Sequence, residues 1–495
     1  MTAGTLIVGA VAVPLAGAVL IAAAHRTPNL RETVTLVTAG LLFLLVASIV
    51  PDVLAGGRPH QTLLPVMPGI SLAFTVEPLG MLFAVLASGL WIVNSLYSIG
   101  YMRGNGEAHQ TRYYVCFALA IASTMGIAFA GNLFTLFLFY EALTLVTYPL
   151  VTHHGTEEAK RAGRLYIGML IGSSILFLLV AIIWTWAIAG TIEFTPGGVL
   201  GGNVSNATMG LLLALYVFGI GKAAVMPVHR WLPAAMVAPT PVSALLHAVA
   251  VVKAGVFSVL KIVVYVFGVE TISGMTSVDW LPFVSGFTII AASIVALRSD
   301  NLKRRLAYST VSQLSYVVLA AALLTPLSVI GAALHIATHA LGKITLFFCA
   351  GAIYTAAHKT EVSQLAGIGR RMPWTMAAFT IGALSLIGVP PAAGFVSKWF
   401  IMSGALQAGH YAALTVFVVS TLLNAAYFLP IVYSAFFRVP GAGAGGGDGH
   451  GHGHGEAPWP MVVALTATAA SSVALFFFPE LPLQLARQLV ARSPG

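Results

Sequence analysis

Cysteine is nearly absent. Only Cys116 and Cys349 occur in 495 residues, both inside apolar runs, which excludes a disulfide framework, iron–sulfur ligation and a thiolate zinc site. Charge is scarce too: Asp, Glu, Lys and Arg make up 8% of the chain, against roughly 25% in soluble domains. No Gly-rich dinucleotide motif follows a predicted strand, so the chain carries no signature of redox chemistry of its own. Long polar blocks are missing as well, which leaves residues 1–495 as one domain. What remains is 58% hydrophobic with a mean hydropathy of +0.92, the composition of an integral membrane protein. The net charge of +9 comes from basic residues scattered over short loops, which suits membrane orientation and not nucleic-acid binding.

A bilayer-spanning helix needs roughly 20 apolar residues, and that window predicts an all-α polytopic protein of about fourteen transmembrane helices. The expected segments are 3–24, 33–50, 79–100, 113–130, 132–151, 165–189, 207–228, 241–267, 282–297, 307–324, 327–356, 375–406, 412–437 and 459–478. The first lacks the basic n-region and cleavage site of a signal peptide and is expected to stay as an anchor. Loop charges then set the orientation. Sixteen Lys and Arg fall on one side, among them Arg103, Arg112, Lys160, Arg298, Lys303 and Arg371, and only Arg58, Arg487 and Arg492 on the other. The asymmetry puts both termini on the non-cytoplasmic side of a bacterial-type inner membrane. The stretch 441–456, GAGAGGGDGHGHGHGE, is a Gly-rich loop whose His450, His452 and His454 read as a solvated linker, with weak metal binding as the alternative.

Six ionisable residues interrupt the apolar segments: Glu141, Lys222, Lys253, Lys261, Lys343 and Lys398. A charge at mid-membrane costs about 2.5–3.5 kcal/mol on insertion scales, so several in one chain suggest an ion or proton path. Two segments also break at a lysine. In GIGKAAVMPVHRWLP, Lys222 stands one turn before Pro227, and in IGVPPAAGFVSKWF, Pro390, Pro391 and Gly394 precede Lys398. Proline frees a carbonyl that protein or water must satisfy, and broken helices at matching places in two halves signal inverted repeats with an ion site near mid-membrane. The bland alternative is a packing kink.

Glu141 reads as the only acidic residue inside a span, and a lone carboxylate there has to stay protonated or find a cation. Lys222 is the favoured partner, as a proton-exchanging pair or as a static one. His335, His339 and Lys343 recur every four residues and share roughly one helix face over about 12 Å. Two imidazoles beside a lysine suit a proton relay; structural hydrogen bonding and a metal are the alternatives, the last disfavoured by Lys343. His247 and Lys253, six residues apart, point about 120° away from each other on an ideal helix. Lys261, near the end of its span, is expected to snorkel to the interface.

The motifs GKAAVMPVHRWLPAAMVAPTPVSALLHAVAVVKAG, NLKRRLAYSTVSQLSY, THALGKITLFF and GVPPAAGFVSK, in that order, resemble the antiporter-like membrane subunits of respiratory complex I, membrane-bound hydrogenases and Mrp sodium/proton antiporters. The resemblance covers nearly the whole chain. It implies fourteen helices with segments 4–8 (113–267) and 9–13 (282–437) as two inverted five-helix repeats, each with a broken helix. It makes Glu141 the segment 5 carboxylate, Lys222 its partner, Lys253 the central lysine beside His247, His335, His339 and Lys343 the segment 11 relay, and Lys398 the terminal lysine. Protons would hop through water between these groups. The chain ends soon after segment 14, unlike the distal complex I subunit, and Lys398 stands where the middle complex I subunit typically has a glutamate. The D-type subunit of an Mrp antiporter therefore fits best, with complex I and hydrogenase subunits as the alternative.

The expected role is thus proton translocation, with sodium as the candidate counter-ion, inside a hetero-oligomeric complex in the lipid bilayer, with no cofactor or metal of its own. Its standing as an enzyme is left open, since the parent complex is an NADH-quinone oxidoreductase in one alternative. A quinone-binding redox enzyme and an inert structural subunit are the competing classes. One glutamate among lysines makes a poor sodium cage, which assigns any sodium path partly to other subunits.

Overall fold

The helices that carry lysine and histidine end up inside, while the most apolar ones line the rim, as expected where lipid and not water surrounds the bundle. The computed structural model describes residues 3–201, 204–439 and 455–491; the histidines of the Gly-rich loop and Arg492 lie outside them. Chain order runs α1 (Ala3–Ala23), α2 (Pro28–Leu54), a hairpin of β1 (His60–Met67) and β2 (Ile70–Thr75), α3 (Pro78–Gly104), α4 (Gln110–Ala128) and α5 (Leu133–Val151). Then follow α6 (Glu157–Ala189), α7 (Asn206–Gly219), α8 (Thr240–Phe267), α9 (Trp280–Arg298), α10 (Leu302–Ala322) and α11 (Pro326–Ala357). The chain closes with α12 (Pro373–Ile387), α13 (Gly394–Gln407), α14 (Tyr411–Phe437), α15 (Trp459–Phe477) and α16 (Glu480–Arg487).

Every one of the fourteen expected segments is helical. Among the described residues, eleven helices are long and apolar enough to cross a bilayer. The other three segments deviate for physical reasons. Segment 10 forms α10, whose 21 residues carry three basic ones directly after Leu302, then Ser309, Thr310, Ser312, Gln313 and Ser315. Segments 7 and 12 are broken, as the prolines imply.

The 32-residue α11 is the axle of the bundle. It packs against α3, α8, α10, α12, α13 and α15, and its start is fixed by a capping box between Thr325 and Ser328. α8 is buried along its whole length. These two helices carry five of the eight expected site residues.

Each break satisfies its own freed backbone, as a dry interior demands. After α7 the chain makes a 3₁₀ turn at Gly221–Ala223 and then Ala224 in the left-handed region at φ 55°. Trp231 Nε1 donates to the Gly221 carbonyl at 3.0 Å, and Met226 N to Thr288 Oγ1 at 3.2 Å. After α12, Gly388 takes φ 89°, Gly394 N donates to Ser385 Oγ at 3.2 Å, and Lys398 Nζ reaches back to the Ile387 carbonyl at 3.0 Å.

A third discontinuity was not legible. Within α8, residues Leu245–Val249 form a π turn around His247, followed by Ala250 at φ −117°, ψ −70°. The 120° angle expected between His247 and Lys253 assumed an unbroken helix, so it does not apply. The chain also departs from a purely helical reading at β1–β2, an antiparallel pair turning at Gly69. Asn132 Nδ2 donates to Ser71 O at 2.8 Å and Ala73 N to Thr135 Oγ1 at 3.0 Å, tying the hairpin to the start of α5.

Gly255 lets α8 lie against the first break. A Cβ there would stand 2.3 Å from Ala223 N and 2.7 Å from Lys222 O. We expect Gly255→Ala to cost about 1–3 kcal/mol by overpacking, lowering the thermal midpoint of the purified protein, while Gly172→Ala, facing open space on α6, leaves it unchanged.

Candidate functional site

The intramembrane lysines are all buried, so each ammonium must be solvated by the protein. Lys222 Nζ donates to the Tyr140 carbonyl at 2.8 Å and to Thr144 Oγ1 at 2.5 Å, and lies 3.2 Å from the centre of the Tyr140 ring. Lys343 Nζ donates to the Leu306 carbonyl at 2.9 Å. Lys398 Nζ, beyond its bond to Ile387, sits 3.4 Å from Thr421 Oγ1 and 4.9 Å from the centre of the Tyr316 ring. Lys253 differs: its one hydrogen-bond partner among the described residues is His339 Nδ1.

From that contact a continuous polar line runs outward. The His339 and His335 rings stack at 5.8 Å. His335 Nδ1 lies 2.9 Å from Ser397 Oγ, and its Nε2 3.0 Å from Gln313 Oε1. Tyr316 stacks on His335 at 5.4 Å and offers its other neighbour, Lys398, the face of its ring. The expected row on α11 is therefore realised at His335 and His339. Lys343 continues it one turn further and, like His335, faces α10, within electrostatic reach of His247. His247 is fully buried with neither ring nitrogen hydrogen-bonded in the protein, against Phe347 at 4.7 Å and within electrostatic reach of Lys343, Lys303 and Lys253.

Glu141 is brought near Lys222 but not into contact. Lys222 feels its charge, yet no ion pair joins them among the described residues, and both Glu141 carboxylate oxygens are buried without a hydrogen bond. The Tyr140 carbonyl and Thr144 hydroxyl hold the ammonium in its place. Sequence reasoning passed over these two groups, and also Gln313, Tyr316 and Ser397. The signal was available, since Gln313 and Tyr316 lie in the SQLSY stretch of an otherwise apolar segment.

Two expectations are corrected. Lys261 does not snorkel: it is fully buried, ion-paired with Glu77, bonded to the Ala130 carbonyl at 2.7 Å and capped by the Phe194 ring at 4.3 Å. α8 continues through a second π turn to Phe267, and the start of α3 closes over the lysine. Nor is Glu141 the sole acid in a span, because α2 begins at Pro28 and so includes buried Glu32, paired with Arg103 and, at 3.5 Å, with Arg31.

No three His, Cys, Asp or Glu side chains converge as a metal site among the described residues. The arrangement holds exchangeable protons on lysine and histidine nitrogens in a buried interior, a chemistry suited to proton transfer.

The comparisons with known proteins agree in kind. The family described as "NADH:quinone oxidoreductase/Mrp antiporter, TM" matches residues 130–424. NADH-quinone oxidoreductase subunit N of Desulforudis audaxviator is 34% identical over 76% of this chain and 75% of its own length. A probable K(+)/H(+) antiporter protein of Rhizobium meliloti is 30% identical over 81% of this chain, which spans only 40% of that protein. In fold, the chain superposes on one from the Mrp complex of Dietzia sp. with a TM-score of 0.85, covering 99% of this chain and 97% of the other at 24% identity.

Lys261 is the ion-pair partner of buried Glu77. Lys261→Met strands a buried carboxylate, and breaking such a pair costs about 3–5 kcal/mol; we expect loss of folded protein on size exclusion in detergent. Lys261→Arg, which keeps the charge, is expected to retain folded protein and transport.

Proposed function

The chain belongs to the NADH:quinone oxidoreductase/Mrp antiporter transmembrane family, and from that premise we propose that it is a proton-translocating, antiporter-like member of a multisubunit membrane complex. The observation that carries this reading is the Lys253–His339 contact. It joins an ammonium that has no carbonyl to hold it to the first imidazole of a line ending at Lys398.

In this reading Lys253 Nζ hands its proton to His339 Nδ1, and His339 passes one to His335 across their stacked faces through water. Ser397, Gln313 and Tyr316 orient His335, and Lys398 takes the proton at the far side. Lys343 and His247 supply Lys253 from the end carrying the basic loops, which we assign to the cytoplasm with both termini opposite. Glu141 and Lys222 form the control element. When Lys222 leaves Tyr140 and Thr144 to pair with Glu141, the field at Lys253 changes and its hold on the proton with it. The two broken helices belong to inverted repeats of segments 4–8 and 9–13, and the break after α12 lets Lys398 meet the freed Ile387 carbonyl.

The finer assignment is the D-type member of an Mrp monovalent cation/proton antiporter, with any sodium path partly in other subunits. A respiratory or hydrogenase complex is the second reading, favoured by the likeness to an NADH-quinone oxidoreductase protein.

Assembled complex in sealed vesicles tests this. Lys253→Met is expected to reduce proton movement by about 10²-fold or more, the usual worth of a proton-transfer group, with subunit levels unchanged. Unaltered proton flux in Lys253→Met and Lys398→Met would overturn the proposal. Sodium flux lost in those variants while protons still move would overturn the division of ions between subunits.

A further inference from the structure

A second cluster of titratable side chains lies at the end of the bundle that carries the basic loops, apart from the line between Lys222 and Lys398. Glu107 comes from the turn between α3 and α4, His153 and His154 from the turn between α5 and α6, and Lys303 from the first turn of α10. Glu107 Oε2 lies 3.8 Å from His153 Nε2 and 3.7 Å from His154 Nδ1. Their exposure is graded. The His154 side chain is 38% exposed, Glu107 12% and His153 2%, and neither His153 ring nitrogen is satisfied by a hydrogen bond of good geometry. Lys303 Nζ donates to the Ala238 carbonyl at 2.6 Å, just ahead of α8, and acts electrostatically on both Glu107 and His247.

We infer that His154, Glu107 and His153, with Lys303 behind them, form the proton-loading site of this protein, joining bulk water at the basic-loop end to His247. The inference rests on the proton-translocating reading above. A proton arriving on exposed His154 passes to the Glu107 carboxylate. Lys303 gives its own proton inward to a free ring nitrogen of His247 and is reprotonated from the Glu107 side. Each transfer leaves the number of protons in the cluster unchanged once the next arrives.

The surroundings suit that task. Burial raises the Glu107 carboxyl above its ordinary range, against the opposing pull of His154 and Lys303, so it takes up a proton more readily than a surface carboxylate. Burial, with the charges of Arg112, His154 and His109, lowers His153 to about 4 in spite of the Ala108 backbone, leaving it an uncharged acceptor at neutral pH. Arg112 is itself engaged, donating to the His153 carbonyl at 2.9 Å, and Tyr113 presents its edge to the ring at 6.4 Å. Tyr101 is the remaining titratable neighbour of Glu107.

A cluster that merely ties two turns together would not govern the pH dependence of transport; a loading site does, because it limits when bulk protons are scarce. In vesicles containing the assembled complex, proton uptake is measured against pH on the basic-loop side. Glu107→Gln and the double variant His153→Gln/His154→Gln are expected to slow uptake about tenfold at about pH 9, within the range of local proton enrichment a charged mouth provides. Both should approach the unsubstituted rate at about pH 6.5, and Glu107→Asp should restore the alkaline limb. An unchanged profile, or an equal loss at every pH, overturns the loading site. Lys253→Met runs alongside: if it stays active the translocation reading itself fails, whereas if it is inactive and Glu107→Gln is unaffected, only the loading site falls.

Discussion

A buried ammonium needs a partner that stabilises its charge, and the way this bundle supplies one governs much of its architecture. Lys222 is held by the Tyr140 carbonyl, Lys261 by that of Ala130, Lys343 by Leu306, Lys398 by Ile387 and Lys303 by Ala238. A neutral dipole of this kind steadies a charge at a fraction of the coupling that a full countercharge would bring. It leaves the lysine free to exchange partners. Lys261 is the exception on one side, since Glu77 pairs with it fully. Lys253 is the exception on the other: it meets no carbonyl and hydrogen-bonds an imidazole that can itself take the proton. The two lysines stand eight residues apart on one helix, one paired with a carboxylate and the other with an imidazole.

The irregular backbone follows from the same need. Three of the five oxygens, those of Ile387, Ala130 and Ala238, lie where a helix is interrupted or ends, while the Tyr140 and Leu306 carbonyls belong to the interiors of α5 and α10. The interruption after α12 yields the Ile387 carbonyl, and the C-terminal end of α4 yields Ala130. The break after α7 places Lys222 against α5, and glycine at position 255 is what allows α8 to approach it. The π turn in α8 sets His247 near Lys303 and Lys343 while Lys253 faces α11. Breaks, glycine and π turn thus act as one device, converting a stack of hydrophobic rods into a set of ion-solvating positions.

Transport along such a line requires access at an end as well as continuity in the middle. The middle is continuous from Lys253 to Tyr316 and Lys398. Towards the basic loops the polar groups become progressively wetter, from buried His247 through Lys303 and Glu107 to exposed His154. Glu141 stands apart as a carboxylate without a hydrogen bond among the described residues, near enough to act electrostatically on Lys222.

Hydropathy and spacing alone determined the fourteen segments, the two proline breaks, the charged residues inside the membrane and the i, i+4 row of His335, His339 and Lys343. These are local properties: a run of apolar residues, a missing N–H and a helical repeat each act within a few turns of chain. Apart from Lys398, which reaches back 11 residues to Ile387, which oxygen or imidazole each lysine meets was decided only by tertiary structure. The partners lie far away in sequence, 82 residues for Lys222 and Tyr140, 86 for Lys253 and His339, and 131 for Lys261 and Ala130. The π turn that reorients His247, the closure of α3 over Lys261 and the separation of Glu141 from Lys222 all depend on how neighbouring helices pack. Packing is a property of the assembled surfaces, and no stretch of the chain carries it alone.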